Sequence, residues 1–261
     1  MDALDHLVVN SLFETDAAAA IFEQLGFQLT PRGHHSLGSI NHLMMLPGCY
    51  LELVGLPLGT DRLRAEVLES ALGINGLVLG SSDVEATRRW LESSGFHPSG
   101  PVDFSRPVLL DGIERQARFR TVKVAADEFA AGRVYWCQHE TPELVWRPEW
   151  LVHLNGFASI DSLVVECVDP QATARRYAAA TRATASQTGA QWTVALDGFS
   201  IVLQAGRRER FTRIGLGFNR FDELLRRANA CAQVSLSDIG PEQARLSIAS
   251  LDLVIDCRAI R

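Results

Sequence analysis

A short apolar segment occurs twice in this chain in almost the same letters. Leu4–Val9 reads LDHLVV, and Ile160–Val165 reads IDSLVV. Leu and Val at successive positions favour buried strands, so both segments are predicted as β-strands. A repeat over this distance predicts copies of a larger structural unit, which restricts the fold more than composition does.

The elements that follow each copy have one order. Behind Leu4–Val9 the sequence predicts a helix ended by Gly26, a short strand stopped by Pro31 and a hairpin that turns at Gly48, which is the order βαβββ. Further copies begin at Ile74, at Ile160 and, more weakly, at Arg213. The predicted helices span residues 16–25, 83–94, 171–181 and 222–232, and the predicted strands and hairpins span 27–30, 40–46, 50–54, 116–125, 133–139, 191–203 and 244–257.

The four modules are expected to form two pairs, because one βαβββ module alone leaves an open sheet with an exposed apolar face. The sequence therefore predicts an α/β (α+β) fold of four βαβββ modules in two paired domains. The first domain spans 1–140, from modules 1–57 and 72–140, and the second spans 158–261. A connector over 141–157 holds prolines and aromatic rings. A generic α/β protein of another topology is the alternative.

Composition and charge exclude several classes of protein. The chain is 47% hydrophobic and 21% charged, which is typical of a globular protein, and its net charge of −6 argues against a nucleic-acid partner. No apolar stretch approaches the roughly 18 residues of a membrane helix, and the acidic start lacks an export signal. Five scattered cysteines without CxxC spacing indicate free thiols in a cytoplasmic protein. No Gly-x-Gly-x-x-Gly motif or P-loop supports a nucleotide cofactor.

Several motifs resemble those of a known family. They are LDHLV at 4–8, GSIN at 38–41, YLEL at 50–53, FSRP at 104–107, YWCQHETPELVW at 135–146 and HLNG at 153–156. Together they resemble the glyoxalase-like domain family of the vicinal oxygen chelate (VOC) superfamily over residues 1–182. The resemblance implies paired glyoxalase/dioxygenase-like domains. It does not select a reaction, because the superfamily includes lyases, isomerases, epimerases, ring-cleaving dioxygenases, thiol transferases and metal-free drug-binding proteins.

The resemblance also implies where a metal would bind. In metal-using members the ligands lie on the first and last strands of paired modules. His6 and Glu52 occupy these positions in the first module, whereas the second has Gly76 opposite His6 and Cys137 opposite Glu52, with His139 on the same strand face. A His6, Glu52 and His139 set would suit a divalent ion such as zinc, iron, manganese or nickel. The alternative is a hydrogen-bonded His6–Glu52 pair without metal.

The later modules are expected to be metal-free. Ser162 aligns with His6 and Val202 with Glu52, and neither position offers a good ligand. Any metal therefore belongs to the N-terminal pair.

Further polar residues are candidates for binding a substrate. They are Asn41, His35, Cys137, Arg106 and Arg120. Asn41 alternates with His42 on its strand, so only one of them faces inward, and the family pattern favours Asn41. Arg106 and Arg120 suit a carboxylate or phosphate, although either side chain is more often a surface ion pair. His35 lies in a glycine-rich loop, where a solvated side chain is the alternative.

The leading functional hypothesis is a metal-dependent enzyme of the lyase, isomerase or dioxygenase type. Its ion would chelate neighbouring oxygens of a small molecule, and Glu52 would be a ligand or a general base. The alternative is a metal-free protein that binds or sequesters a small molecule. A third hypothesis is a metal-free hydrolase or lyase that uses His139 and Cys137. The predicted partners are small molecules, without nucleic acid or membrane, and the chain is expected to be a monomer or a homodimer.

Overall fold

The computed structural model describes residues 2–260. Its helices are α1 (Thr15–Gln24), α2 (Ala65–Leu68), α3 (Val84–Ser93), α4 (Pro170–Thr181) and α5 (Phe221–Ala230). The strands of the N-terminal half are β1 (Leu4–Asn10), β2 (Gly33–His34), β3 (Ile40–Leu46), β4 (Cys49–Gly55), β5 (Gly73–Gly80), β6 (Val102–Leu110), β7 (Ile113–Lys123) and β8 (Arg133–His139). Those of the C-terminal half are β9 (Phe157–Cys167), β10 (Thr184–Thr188), β11 (Gln191–Ala195), β12 (Ser200–Ala205), β13 (Arg210–Phe218), β14 (Ser235–Gly240), β15 (Gln243–Ile248) and β16 (Leu253–Ala259). Short 3₁₀ turns occupy Pro142–Leu144, Pro148–Trp150 and Ala249–Leu251.

The strands form two eight-stranded sheets of the same design. Their orders are β2-β3-β4-β1-β5-β8-β7-β6 and β10-β11-β12-β9-β13-β16-β15-β14. In each sheet the first strands of two modules pair antiparallel at the centre, and each also pairs in parallel with the last strand of its own module. This arrangement confirms the predicted fold of four βαβββ modules in two pairs. None of the described helices is long and apolar enough to cross a membrane.

The short strand predicted over 27–30 is wrong. The main-chain N–H of Thr30 does donate to the Leu43 carbonyl at 2.9 Å, but the Leu43 N–H binds the Thr30 hydroxyl at 3.0 Å instead of a carbonyl. A side-chain hydrogen bond thus replaces the second main-chain hydrogen bond that a β-ladder would have here. The edge strand forms later in the chain, at Gly33–His34. The sequence also did not predict β6, β10 and β14.

One continuous apolar core joins the outer faces of the two sheets and most of the helices. Phe27, Phe157 and Phe218 meet there, with the ring centres of Phe27 and Phe157 5.1 Å apart. The connector is fixed against this core by His153, whose Nδ1 accepts from the Gln28 N–H and whose Nε2 donates to the Met45 carbonyl. The two halves are therefore packed together through their convex sides.

A second, smaller apolar cluster lines the concave side of the N-terminal sheet. A β-bulge in β1 shapes this side, because Leu4 pairs with Leu79 and His6 with Val78, which leaves Asp5 as an extra residue. The bulge breaks the usual alternation, so the neighbouring side chains of Asp5 and His6 contact each other.

The N-terminal sheet curls until its edges meet. The Ser36 N–H donates to the Ser105 carbonyl at 2.9 Å, which joins the loop after β2 to β6. The segment that contains α2 is held to β1 by the Asn10 amide, which donates to the carbonyls of Val67, Ser70 and Ala71. The concave side of this half is consequently enclosed.

Candidate functional site

The enclosed concave side surrounds a small cavity of about 30 Å³, which is room for one or two water molecules. Its wall includes residues from β1, β3, β4, β6, β7 and β8 and from the segment before α2. The lining side chains are those of His6, His35, Asn41, Leu43, Tyr50, Glu52, Arg64, Phe104, Arg106, Phe119, Thr121, Tyr135 and Cys137. The wall thus combines aromatic and aliphatic side chains with polar and charged ones, which make up about half of it.

Glu52 is the carboxylate of this cavity and is buried. Asn41 donates from Nδ2 to Glu52 Oε1 at 2.7 Å and also to His35 Nε2 at 3.2 Å. Burial raises the pKa of Glu52, but the charges of His6 and His35, the hydrogen bond from Asn41 and the charge of Arg64 together lower it below its ordinary value. Glu52 is therefore an ionised base that is shielded from water.

His35 is held in its neutral form. Burial lowers its pKa to about 4, with further lowering by the charges of Arg64 and Arg106 and opposition from Glu52. Its Nε2 accepts from Asn41, so Nδ1 carries the proton and donates to Ser39 Oγ at 2.8 Å. The ring consequently fixes the amide of Asn41 with Nδ2 directed at Glu52.

His6 lies between two carboxylates. Its Nδ1 contacts Asp5 Oδ1, its Nε2 lies 3.6 Å from Glu52 Oε2, and its ring stacks on Tyr50 with centres 4.4 Å apart. Asp5 also contacts His139, whose Nε2 lies 2.9 Å from Asp5 Oδ2. Burial would raise the pKa of Asp5, but hydrogen bonds from His139 and His6 lower it to about 2.

Arg106 supplies an unpaired cation. Its side chain is buried among the groups of the cavity, and Nη2 has no hydrogen-bond partner within residues 2–260. The same is true of the Oδ1 atom of Asn41. Gly33 on β2 makes room for both side chains, because a Cβ there would lie 2.2 Å from Asn41 Oδ1 and 3.2 Å from Arg106 Cδ. A buried guanidinium N–H without a partner is costly and indicates a place for an acceptor.

The predicted site residues separate into groups. His6, His35, Asn41, Glu52, Arg106 and Cys137 line the cavity. Arg120 does not: its neighbours Phe119 and Thr121 face the cavity, and it lies on the other face of β7, paired with Asp103 and Glu85. His139 contacts Asp5 instead of converging with His6 and Glu52.

The strand register changes one prediction from the sequence, that Cys137 stands in the position of Glu52. Val8 of β1 pairs with Glu52, and Val78 of β5 pairs with Tyr135. With Gly76 equivalent to His6, Val78 is equivalent to Val8, so Tyr135 stands in the position of Glu52 and Cys137 lies two residues further along β8. Burial raises the pKa of the Tyr135 phenol well above its ordinary value.

Sequence reasoning missed Asp5, Arg64 and Tyr135. Strict alternation along β1 places Asp5 on the face opposite His6, and only the bulge brings it to the same side. No sequence signal distinguishes Arg64 from other surface arginines of its segment. One signal was present, because the acid before His6 recurs as Asp161 in the repeated segment.

A larger cleft of about 780 Å³ lies between the two halves and borders the cavity. Tyr135 lines both spaces, and Glu66 of α2 lies in the cleft wall, where it pairs with Lys123 and with Arg64 of the cavity. Arg133 also lines the cleft, and its Nη2 is buried with no partner in the described part of the chain.

Comparisons with known proteins agree with this architecture. The model of the glyoxalase-like domain matches residues 4–181. A hypothetical protein from Staphylococcus aureus superposes with a TM-score of 0.71 at 12% identity, with 100% of both chains covered. A mutant of 4-hydroxymandelate synthase from Streptomyces coelicolor superposes with a TM-score of 0.63 at 12% identity, over 99% of this chain and 93% of that one.

A fusion of a xylose isomerase-like TIM barrel with 4-hydroxyphenylpyruvate dioxygenase superposes with a TM-score of 0.65 at 12% identity. The match covers 99% of this chain and 49% of the fusion, so this chain spans about half of that protein. No curated protein matches the sequence at a significant level. Identities this low show a shared fold alone, whereas the domain model covers well over half of the chain. The chain belongs to the glyoxalase-like domain family of the VOC superfamily.

Proposed function

We propose that this chain is an enzyme that transfers protons on a small molecule with neighbouring oxygen atoms, in the cavity of the N-terminal half. The main support is the unpaired guanidinium N–H of buried Arg106, which shares a cavity with the ionised carboxylate of Glu52. A buried cation and a buried base that do not pair with each other are suited to binding and deprotonating one molecule.

The two groups would divide the reaction between them. A carbonyl or carboxylate oxygen of the substrate accepts from Arg106 Nη2, and a hydroxyl on the neighbouring carbon donates to Asn41 Oδ1. Glu52 removes a proton from that carbon, the electron pair of the C–H bond forms a C=C bond, and the π pair of the C=O bond moves to its oxygen to give an enediolate. Arg106 stabilises the charge that develops on this oxygen, and the protonated Glu52 returns the proton. This chemistry is of the isomerase or lyase type.

Asn41 and His35 would position the base. The Asn41 amide fixes one oxygen of Glu52, and neutral His35 fixes the amide. The other oxygen, Oε2, stays on the side of His6, whose ring is held by Asp5 and stacked on Tyr50. A carboxylate restrained in this way loses little freedom when it accepts a proton.

The metal position implied by the superfamily does not fit the residues of this chain. By strand register its four positions are His6, Glu52, Gly76 and Tyr135, so only two offer an imidazole or a carboxylate. Catalytic sites for divalent ions usually have three protein ligands. Arg106, another group of the same cavity, already places positive charge near Glu52. We therefore derive no step through a metal at this position.

Substrate entry would use the larger cleft, because the cavity itself has room for only one or two water molecules. The wall between the two spaces is formed by Tyr135 and by two ion pairs, Glu66–Lys123 and Glu66–Arg64. Movement of α2 would join them, and Nη2 of Arg133 in the cleft, which lacks a partner within the described residues, would then contact an anionic end of the substrate.

Hydroxypyruvate is a direct probe, because it has oxygens on three neighbouring carbons and an exchangeable CH₂ group. We expect the protein to catalyse exchange of this CH₂ group in ²H₂O, measured by loss of the ¹H NMR signal. Glu52→Gln should lower the exchange rate by about 10²–10⁴-fold, the usual contribution of a general base. The matched control is Glu114→Gln on the exposed end of β7, which should not change the rate.

Arg106→Met should weaken hydroxypyruvate binding by about 10–100-fold, the worth of a hydrogen bond to a charged group. Arg120→Met, on the outer face of the same hairpin, is its control and should bind as well as the unmodified protein. Exchange that is unaffected in Glu52→Gln would refute the proposal. Binding without any exchange would support the alternative of a metal-free binding protein.

A further inference from the structure

Three metal-binding side chains converge beside the cavity, at the level of the β1 bulge. They are Asp5, Cys137 and His139, and one ligand atom from each lies within 4.8 Å of those of the other two. In residues 2–260 this is the one group of three His, Cys, Asp or Glu side chains with such spacing. It does not contain Glu52, so it differs from the ligand set that the sequence predicted.

The distances within this group suit a tetrahedral ion. His139 Nε2 lies 3.2 and 2.9 Å from the two oxygens of Asp5. Oxygen and nitrogen ligands about 2.0 Å from zinc in a tetrahedral site are roughly 3.3 Å apart, which is close to these values. Cys137 and His139 lie on the same face of β8, two residues apart, so both side chains reach the same point.

The surroundings hold these ligands in place. His6 contacts Asp5 Oδ1, which leaves Oδ2 on the side of His139, and hydrogen bonds of this kind commonly orient metal-binding carboxylates. Trp146 and Phe119 pack against the His139 ring at centre distances of 4.5 and 5.1 Å. On the Nδ1 side packing alone holds this ring, because Nδ1 has no hydrogen-bond partner within the described residues.

The C-terminal half provides an independent observation. Asp161 is the extra residue of the equivalent bulge in β9, because Ile160 pairs with Leu216 and Ser162 with Gly215. Arg258 of β16 stands at the register position of Cys137 and donates to both oxygens of Asp161, at 2.7 and 3.0 Å. In the C-terminal half, then, the bulge aspartate pairs with a cation. In the N-terminal half it lies close to the Cys137 thiol and the His139 imidazole.

We propose that Asp5, Cys137 and His139 bind one zinc-type divalent ion, which takes the place that the Arg258 guanidinium has in the other half. A carboxylate, an imidazole and a thiolate form a ligand set that favours zinc. On binding, the Cys137 thiol releases its proton to solvent and its sulfur bonds to the ion. Three protein ligands leave a fourth position for water or for a ligand from the cavity that Cys137 lines. This proposal does not depend on the proposed proton transfer.

The test uses the full chain, stripped with a chelator and titrated with Co²⁺ and Zn²⁺. We expect one equivalent of Co²⁺ to bind and to give a thiolate-to-cobalt charge-transfer band, which Zn²⁺ displaces. Cys137→Ser should abolish the band, and His139→Asn should weaken binding by more than 100-fold. His6→Asn removes the ring that contacts Asp5 Oδ1 but no proposed ligand, and it should weaken binding by about 10–100-fold.

Two control variants test whether the ion binds at these three residues and not at another thiol or carboxylate. Cys167→Ser removes another buried thiol, in the C-terminal half, and should keep both the band and the stoichiometry. Glu52→Gln should also bind one equivalent, because Glu52 is not a ligand, even though it loses proton exchange. Circular dichroism of the metal-free variants identifies any that do not fold, and Cys137→Ala then replaces Cys137→Ser. Absence of a stoichiometric ion, or its retention in Cys137→Ser and His139→Asn, would overturn the proposal.

Discussion

The two halves of this molecule share one design and differ on their concave faces. In the N-terminal half the sheet edges meet and enclose buried Asp5, His6, Glu52 and Arg106. In the C-terminal half the edge strands Thr184–Thr188 and Ser235–Gly240 are largely exposed, and the register positions of the polar cluster carry Ser162 and Val202.

Charge on the C-terminal concave face is neutralised within the protein. Asp256 accepts from Arg213 and Arg245, and Asp161 accepts from Arg258, all in partly exposed ion pairs. In the N-terminal half, by contrast, Arg106 has an unpaired N–H and Asp5 meets two imidazoles. The comparison indicates that a paired charge marks a structural face, whereas an unpaired buried charge marks a place for a ligand.

The largest expected effect comes from making the first half resemble the second at one position. Glu52→Val copies Val202 and removes the base of the cavity. We expect hydroxypyruvate exchange to fall by about 10²–10⁴-fold, measured by NMR in ²H₂O. Val202→Ala in the other half serves as the control and should leave the rate unchanged. A rate that survives Glu52→Val would remove the functional difference between the halves.

The two bulge aspartates should differ strongly in their effect on stability. Asp5→Asn in the metal-free chain leaves two buried imidazoles without their carboxylate, and we expect the free energy of unfolding to fall by about 3–5 kcal/mol. Asp161→Asn breaks a partly exposed pair and should cost no more than about 1 kcal/mol. Urea unfolding of both variants measures the difference. Equal losses would show that the two bulges have the same structural role.

The fold could be predicted from the sequence because the same pattern of strands and helix recurs along the chain. The LDHLVV and IDSLVV segments and the glycines after the helices mark the modules, and buried strands follow from their apolar letters. His6 and Glu52 were predicted from the ligand positions that the family resemblance implies, compared between the modules. Asp5 was not found, because a bulge is not visible in an alternating pattern. Arg120 was misplaced because β6 was missing from the predicted strands, and its pairing with β7 decides which arginine faces inward.

Acid should destabilise the N-terminal half in a pH window set by His35. Its pKa is lowered from the ordinary 6.5 to about 4, so the folded protein binds this proton less readily than the unfolded chain. The stability contributed by His35 is therefore complete above pH 6.5 and is lost as the pH falls to about 4. Because the ring is partly exposed, we expect a loss of about 2 kcal/mol instead of the full shift.

Urea unfolding at several pH values measures this dependence. His35→Asn should reduce the slope of stability against pH between pH 6.5 and 4. An unchanged slope in His35→Asn would contradict the assignment of a neutral, partly buried imidazole at this position.

A further change in stability is expected when the charge pair of the second half is copied into the first. Cys137→Arg places a guanidinium beside Asp5, as Arg258 lies beside Asp161. We expect the free energy of unfolding of the metal-free chain to change by no more than about 1–3 kcal/mol, because overpacking partly offsets the new pair. Co²⁺ binding should be lost. A variant that still binds one equivalent would place the ion elsewhere.

The account places ligand binding in the N-terminal half and not on the C-terminal face. This difference is tested most directly by locating a bound probe. A crystal structure of the chain with hydroxypyruvate should show it in the N-terminal cavity, with one oxygen within hydrogen-bond distance of Arg106 Nη2 and the CH₂ carbon next to Glu52. Probe bound to Arg213 and Arg245 on the C-terminal face, with the N-terminal cavity unchanged, would contradict the account.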